Sequence, residues 1–286
     1  ESMLPQLGND DLVWATVQAA VSKRESYAFL LAGPPGTGKT RYARQLAMML
    51  TESTQDRLLF LQFHPAISYD DFIEGFRPQL SLGGAGIQYD LSPRLFLEFS
   101  HRAANDRKNR YVVVIDELNR GDVARIFGEV LTYLEPDYRN MEFTLPFSGK
   151  RTSLPPNLIV IATANPYDRS VTDLDDALLR RFLVIEFEPD RAVLENHLQA
   201  SGVDQAITRR ALHMFDALNR AFPNGFGHSN FLNVRSVDDL SAMWIGRVRL
   251  ALRRALVHDR GGFDTIATEV EALLKTKEDS SSEDDA

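Results

Sequence analysis

The chain has 286 residues, enough to bury a full core and to form one large and one smaller domain. Hydrophobic residues make up 44% and charged residues 25%, and no apolar run approaches the ~20 residues that a membrane span needs. The absence of cysteine excludes disulfides and thiolate metal sites, and the six histidines lack paired ligand spacing. We therefore expect a cytoplasmic protein that is not embedded in a membrane.

The two ends of the chain differ from its body. Residues 1–8 have neither the basic region nor the apolar region of an export signal, and we expect an artificial start or an internal fragment. Of the net charge of −8, −5 falls within Glu278–Ala286, which leaves −3 for the rest. Residues 277–286 are predicted to be a disordered acidic tail. The nearly balanced body argues against strong autonomous DNA binding, which needs a clustered basic face.

A glycine-rich stretch fits the GxxxxGK[ST] phosphate loop at every fixed position. An apolar run of strand length, Tyr27–Ala32, precedes it, and Arg41–Leu50 has helical spacing. Such a loop turns backbone N–H groups inward at a helix N-terminus, where phosphate is favoured. Lys39 would reach the β- and γ-phosphates, and Thr40 would offer its hydroxyl to Mg²⁺. The predicted nucleotide-binding residues are Gly33, Pro34, Pro35, Gly36, Thr37, Gly38, Lys39 and Thr40.

Polar residues at the ends of two further apolar strands complete the predicted site. The run 111–115 leads into Asp116 and Glu117. Asp116 is predicted to hold Mg²⁺ with Thr40, and Glu117 to polarise the attacking water. Asn165 follows the strand 158–162 and is a candidate sensor that hydrogen-bonds this water or the γ-phosphate.

A short helix predicted from residue 173 to 179 ends at Arg180 and Arg181. Paired arginines at this position either complement the helix dipole or point into the nucleotide site of a neighbouring subunit. Arg235 is a second open case, because both a γ-phosphate sensor and a surface salt bridge suit its position near a helix start.

The hydrophobic periodicity predicts the organisation of the chain. Residues 9–188 form an α/β domain, with an insertion near 64–91 and a hairpin near 141–155, and residues 189–276 are helical. The insertion mixes aromatics, acids and turn formers without a clean period. We interpret it as presented to a partner or a pore, with an ordinary surface loop as the alternative. Three helical predictions are specific enough to test: Asn9 capping a helix 10–23, Ser92-Pro93 capping a helix that contains Leu95, and a continuous helix 122–134.

The order of these motifs resembles that of the AAA+ NTPases over about residues 9–276. Within that class the chain is similar to the NTPase subunit of McrBC-type modification-dependent restriction systems. Four stretches carry this likeness: 64–78, 115–121 with 126–129, 168–170 with 175–182, and 227–229 with Phe231. The chain departs from that pattern at 163–170, where it has Thr-Ala-Asn-Pro-Tyr-Asp-Arg-Ser and the family reads Met-Asn-Thr-Ala-Asp-Arg-Ser. Asn165-Pro166 is closer to MoxR-type AAA+ chaperones.

The resemblance implies a P-loop AAA+ core, with a parallel sheet flanked by helices, and a C-terminal all-helical lid domain. It implies Mg²⁺-dependent NTP hydrolysis by a ring, a hexamer, with Arg180 and Arg181 as arginine fingers and Arg169 in reserve. ATP is preferred over GTP because most AAA+ proteins use ATP, although restriction NTPases of this type are known for GTP. The implied partner is a nuclease or another effector, with DNA contacted through another domain or that partner.

Two other functions remain open from the sequence. A MoxR-like chaperone would act on a metalloenzyme or a von Willebrand A-type protein. A nucleotide-gated assembly scaffold would bind NTP but hardly turn it over, and Glu117 argues against it.

Overall fold

The computed structural model describes residues 7–8, 11–80, 86–168 and 174–275. The chain divides into two compact units. The first comprises the chain up to Gly33 and Lys39–Phe187, and the second comprises Pro34–Gly38 and the chain from Glu188 onward. The middle of the phosphate loop therefore belongs, by its contacts, to the second unit. Within the described ranges, no helix is long and apolar enough to cross a membrane.

The first unit is built on a five-stranded sheet. In order across the sheet, its strands are β2 (Leu58–Gln62), β5 (Tyr111–Asp116), β8 (Leu158–Ala164), β1 (Ala28–Ala32) and β9 (Leu183–Glu186). All neighbouring pairs in this sheet run parallel. Because β8 lies between β1 and β5, the strand that leads into the phosphate loop is not the direct neighbour of the strand that ends in Asp116.

Both faces of the sheet are covered, as continuous apolar strands require. Side chains alternate along a strand, so Leu30 faces one core and Phe29 the other. Helices α1 (Leu12–Lys23) and α2 (Lys39–Leu50) supply the core around Phe29. Helices α4 (Leu95–Asn105) and α5 (Val123–Phe127) supply the core around Leu30.

Two of the predicted helix starts differ from the observed ones. Asp11 caps α1, since its carboxylate accepts a hydrogen bond from the Trp14 N–H; Asn9 and residue 10 lie outside the described residues. The prediction that Ser92-Pro93 caps a helix is wrong. Both residues end strand β4 (Ile87–Pro93), where Ser92 pairs with Gly75, and α4 begins after Arg94. The prediction fails because Ser92 belongs to a strand whose pairing partner, Gly75, is distant in sequence.

The continuous helix expected over 122–134 is also wrong. α5 ends at Phe127, and a 3₁₀ segment, Gly128–Leu134, follows. Gly128 has a φ of +54°, which interrupts α-helical geometry, and a Cβ on it would lie 2.9 Å from the Tyr69 ring. The apolar spacing persists through the break, so periodicity alone could not show it.

Much of the segment that begins at residue 64 is explained by packing. Ser68 and Asp71 form a capping box around the short helix α3 (Tyr69–Phe72). Phe72 is fully buried, with its ring 4.9 Å from that of Phe127. Tyr69 donates a hydrogen bond to Glu129 Oε1 at 2.9 Å, and burial together with this carboxylate raises the pKa of Tyr69. Packing within the first unit therefore accounts for residues 69–73 of the predicted insertion.

Residues that lie between the sheet strands in the chain form two antiparallel hairpins. β3 (Glu74–Leu80) pairs with β4 (Ile87–Pro93), and β6 (Phe143–Thr144) pairs with β7 (Arg151–Thr152). On the first hairpin, Phe76 and Tyr89 are exposed large apolar side chains. The glycine-rich residues 81–85 between β3 and β4 lie outside the described ranges.

The second unit is helical in its described part beyond Phe187, with a core that includes Phe215, Phe231 and Trp244. A π-helical turn, Trp244–Val248, separates α9 (Val237–Met243) from α10 (Arg249–Ala255). The acidic tail lies outside the described residues. The helices are α7 (Arg191–Ala200), α8 (Gln205–Ala221), α9 (Val237–Met243), α10 (Arg249–Ala255) and α11 (Arg260–Lys275). A further short helix, α6 (Asp176–Leu179), lies in the first unit.

Glu74→Ala should destabilise the first unit by about 2–4 kcal/mol, because the buried Glu74 carboxylate accepts hydrogen bonds from the N–H groups of Phe147 and Ser148. Hydrogen exchange of the β5 amides measures this loss. Glu98→Ala is the matched control, since the Glu98 carboxylate is exposed and 3.9 Å from its cationic partner; it should change stability by less than about 0.5 kcal/mol. Equal protection in the two variants would contradict this role of Glu74.

Candidate active site

The phosphate loop has the backbone that an anion nest requires. Gly36 and Gly38 have φ values of +80° and +86°, in the left-handed region that favours glycine. The Thr37 hydroxyl donates a hydrogen bond to the Pro34 carbonyl at 3.0 Å and so closes the turn. Lys39 begins α2 directly after the loop.

Lys39 is 9% exposed, and its ammonium donates a hydrogen bond to the Gly33 carbonyl at 2.9 Å. Burial lowers the pKa of Lys39, while the carboxylates of Glu117 and Asp116 act in the opposite direction. The ammonium is therefore largely shielded from water and interacts electrostatically with two carboxylates. In such surroundings an added anion interacts strongly with a cation.

Asp116 accepts two hydrogen bonds at one carboxylate oxygen. The Thr40 hydroxyl donates at 2.9 Å and the Thr163 hydroxyl at 2.5 Å. Thr163 is 2% exposed, on the strand between β5 and β1, and its oxygen also accepts the Glu117 N–H at 3.2 Å. One buried hydroxyl thus fixes both neighbouring acids.

Thr163 is the residue that sequence reasoning missed. The available signal was a hydroxyl side chain inside the otherwise apolar strand Leu158–Ala164. Its meaning depends on the strand order, which the sequence does not state.

Glu117 has a φ of +56° and a ψ of +46°, an uncommon conformation for a residue with a long side chain. Its carboxylate forms an ion pair with Arg120 Nε at 3.2 Å. A second nitrogen of Arg120 lies 3.5 Å from an oxygen of Asp168. The turn after β5 therefore directs the Glu117 side chain into a partly exposed network of charges.

Asn165 follows directly after β8, close in sequence to Thr163. Its side-chain oxygen accepts the Tyr167 N–H at 3.2 Å, and its carbonyl accepts a hydrogen bond from the buried Asn119 amide at 2.9 Å. The side chain thus stabilises a turn, and a sensor role remains a prediction.

The two paired arginines differ in their exposure and in their contacts. Arg180 is 65% exposed on its side chain, with Nε 3.8 Å from Glu135 Oε1. Arg181 is 10% exposed, lies 3.4 Å from the same oxygen, and donates a hydrogen bond to the Ala177 carbonyl. Neither is paired with the acids of the candidate site. Arg169 lies outside the described residues.

Arg235 lies in the second unit, where its guanidinium donates hydrogen bonds to the carbonyls of Leu232 and Val234 at 3.1 and 2.7 Å. Its backbone N–H donates to Asp239. These bonds give Arg235 a local structural role.

The residues present fit a hard divalent cation. The Thr40 hydroxyl and the Asp116 carboxylate are adjacent oxygen donors at the helix that follows the phosphate loop. Within the described ranges, no group of three or more His, Cys, Asp or Glu could hold a metal by itself. Mg²⁺ suits such a site because it binds through one or two protein oxygens and completes its octahedron with phosphate and water.

A glycine loop that enters a helix, with an aspartate at the end of a parallel strand, defines a P-loop nucleotide-binding protein. The chain belongs to the AAA family: the family described as "AAA domain (dynein-related subfamily)" matches residues 28–182. The predicted α/β P-loop fold of AAA+ type is thereby confirmed.

Two curated relatives support the narrower likeness to restriction NTPases. The chain is 32% identical over 242 residues to the type IV methyl-directed restriction enzyme EcoKMcrB subunit of Escherichia coli K12, covering 78% of this chain and 51% of that protein. It is 24% identical over 203 residues to the type II restriction enzyme BsuMI component YdiS of Bacillus subtilis 168, covering 58% of this chain and 59% of that protein. The chain thus spans only 51–59% of the length of these relatives.

Thr163→Val should lower nucleotide turnover by about 10–100-fold while leaving nucleotide affinity nearly unchanged, because it removes the hydroxyl that positions Asp116 and Glu117 and keeps the side-chain volume. Phosphate release and nucleotide titration measure the two effects. Thr163→Ser retains the hydroxyl and should restore most of the turnover. Full activity in the valine variant would show that this hydroxyl positions nothing essential.

Proposed function

We propose that this chain is the Mg²⁺-dependent NTPase module of a McrB-type restriction system, in which hydrolysis in a ring drives an effector subunit. The hydrogen bonds from Thr40 and Thr163 to Asp116, beside the buried Lys39, are the observation that carries the proposal. They assemble a metal ligand and a phosphate-binding cation at the end of one sheet. The names of the two relatives, both restriction components, support the biological setting.

The proposed chemistry is NTP hydrolysis, with the chain's own residues in separate roles. Lys39 and the loop N–H groups bind the phosphates, and Thr40 and Asp116 hold the cation. Mg²⁺, when bound, neutralises charge on the phosphate oxygens. Glu117 orients the attacking water and accepts its proton, for which its carboxylate must exchange the contact with Arg120 for one with water. Asn165 would contribute its amide to the same water or to the γ-phosphate.

A single chain leaves one requirement of this chemistry open. Transition-state charge on the γ-phosphate is commonly met by an arginine finger, and the loop itself contains none. We propose that Arg180 of a neighbouring subunit supplies it, because Arg180 is the exposed member of the pair. Arg181, held by Glu135 and Ala177, would support the position of Arg180. A closed ring, a hexamer, presents one such arginine to every site.

The domain roles follow from this proposal. Residues 9–188 would be the NTPase core and residues 189–276 the helical lid, and the division of the contacts near Phe187 supports this boundary. The β3–β4 hairpin, with Phe76 and Tyr89 exposed, would face the effector or the ring pore.

The restriction setting is preferred over a MoxR-like chaperone because the relatives from Escherichia coli and Bacillus subtilis are both restriction components. A nuclease subunit is the proposed effector, and DNA recognition would lie in another domain or in that partner. ATP is the proposed nucleotide, with GTP as the alternative.

The proposal predicts a binding defect in one variant and a hydrolysis defect in another. Lys39→Ala should weaken nucleotide binding by about 100-fold or more, because it removes charge-assisted hydrogen bonds to phosphate. Glu117→Gln should bind normally and hydrolyse about 10²–10⁴-fold more slowly, because only the proton acceptor is lost. Nucleotide titration and phosphate release, each with ATP and with GTP, measure both effects. Equal binding loss in the two variants would mean that Glu117 is not the catalytic base, and strict GTP dependence would overturn the ATP preference.

The assembly proposal predicts recovery of activity on mixing. Arg180→Ala should cost roughly 10³–10⁵ in rate, and mixing these subunits with inactive Lys39→Ala subunits should restore part of the turnover, because an intact site then meets an intact finger. Arg125→Ala is the matched control, an exposed arginine of the same unit, and should stay active.

Co-assembly of the mixed subunits is verified by size-exclusion chromatography with light scattering. Two variants that assemble together and remain inactive would place the arginine finger elsewhere.

A further inference from the structure

Two glycines of the second unit pack backbone against backbone. Gly36 is at the centre of the phosphate loop, and Gly227 precedes the 3₁₀ turn His228–Phe231. A Cβ on Gly227 would lie 2.1 Å from the Gly36 carbonyl carbon and 2.4 Å from the Pro35 carbonyl oxygen. Gly227 has a φ of −65°, which any residue adopts, so the close contact alone requires glycine.

A hydrogen bond accompanies this contact. The Ser229 N–H donates to the Gly36 carbonyl at 2.8 Å. In a planar trans peptide the carbonyl and the following N–H point in opposite directions. By holding the Gly36 carbonyl, Ser229 therefore fixes the direction of the Thr37 N–H, one of the loop groups that a phosphate-binding nest uses.

The segment Gly227–Asn230 is itself firmly held within the second unit. The buried His228 ring accepts the Asp190 N–H at 3.1 Å, and burial lowers the pKa of His228, which favours the neutral ring that can accept this bond. The Asn230 amide donates to the Gly227 carbonyl at 2.8 Å, and Phe231 is fully buried in the core of the unit. These contacts hold the segment in place without the phosphate loop.

We propose that Gly227–Asn230 is a positioning element for the phosphate loop, which sets the Gly36–Thr37 peptide in the orientation that binds phosphate. The proposal rests on nucleotide binding at this loop, as proposed above. Gly227 permits the approach of the two backbones, and the Ser229 N–H provides the orienting bond. Because coupling between two events is reciprocal, phosphate bound in the loop must in turn stabilise the Ser229 hydrogen bond.

The first test is a set of substitutions in the full chain, read by ATP titration and by thermal unfolding without nucleotide. Gly227→Ala should raise the Kd for ATP by about tenfold or more, because the added methyl group displaces Gly36. Gly246→Ala is the matched control: a Cβ there meets nothing within 4 Å, and affinity should not change.

The second test is direct. Hydrogen exchange of the Ser229 amide in the wild type should slow on addition of ATP, and Lys39→Ala should abolish this effect. Should Gly227→Ala fail to fold, this measurement decides by itself.

The outcomes separate the two proposals. A wild type that binds neither ATP nor GTP overturns the proposed function and this inference together. A wild type that binds ATP without slower exchange at Ser229 overturns the inference and leaves the function intact. A folded Gly227→Ala variant with unchanged Kd does the same.

Discussion

The carboxylate of Asp116 is the constraint on which the site depends. Its position is set by two hydroxyls from different elements, Thr40 on the helix after the phosphate loop and Thr163 on the strand between β1 and β5. A carboxylate that accepts two hydrogen bonds at one oxygen has little rotational freedom. The same Thr163 hydroxyl accepts the Glu117 N–H, so the orientation of the second acid depends on the first. Preorganisation of this kind is what electrostatic catalysis requires.

Local motifs were predictable from the sequence and long-range arrangement was not. The phosphate loop, the strand that ends in Asp116 and the parallel α/β fold follow from residue types at fixed spacing. Thr163 could not be recognised because its role depends on β8 lying between β1 and β5. The helix break at Gly128 and the assignment of Ser92 to a strand were missed for a related reason, since a ring and a pairing partner distant in sequence determine them.

The paired arginines show a different limit. Adjacent residues of the same type are equivalent in a sequence pattern, and only the direction of each side chain separates them. Packing against Glu135 and Ala177 buries Arg181, while Arg180 extends into solvent. The same limit applies to Asn165, because the residue type does not distinguish an amide that stabilises a turn from an amide that senses phosphate.

The left-handed backbone at Glu117 carries a consequence for the tolerance of this position to substitution. Such a conformation costs a residue with a side chain roughly 1–2 kcal/mol, and glycine or asparagine would adopt it more readily. A chain selected for stability alone would drift toward those residues. An acid at this position therefore works against the local folding preference, and a library screened only for thermal resistance should enrich variants that have lost it.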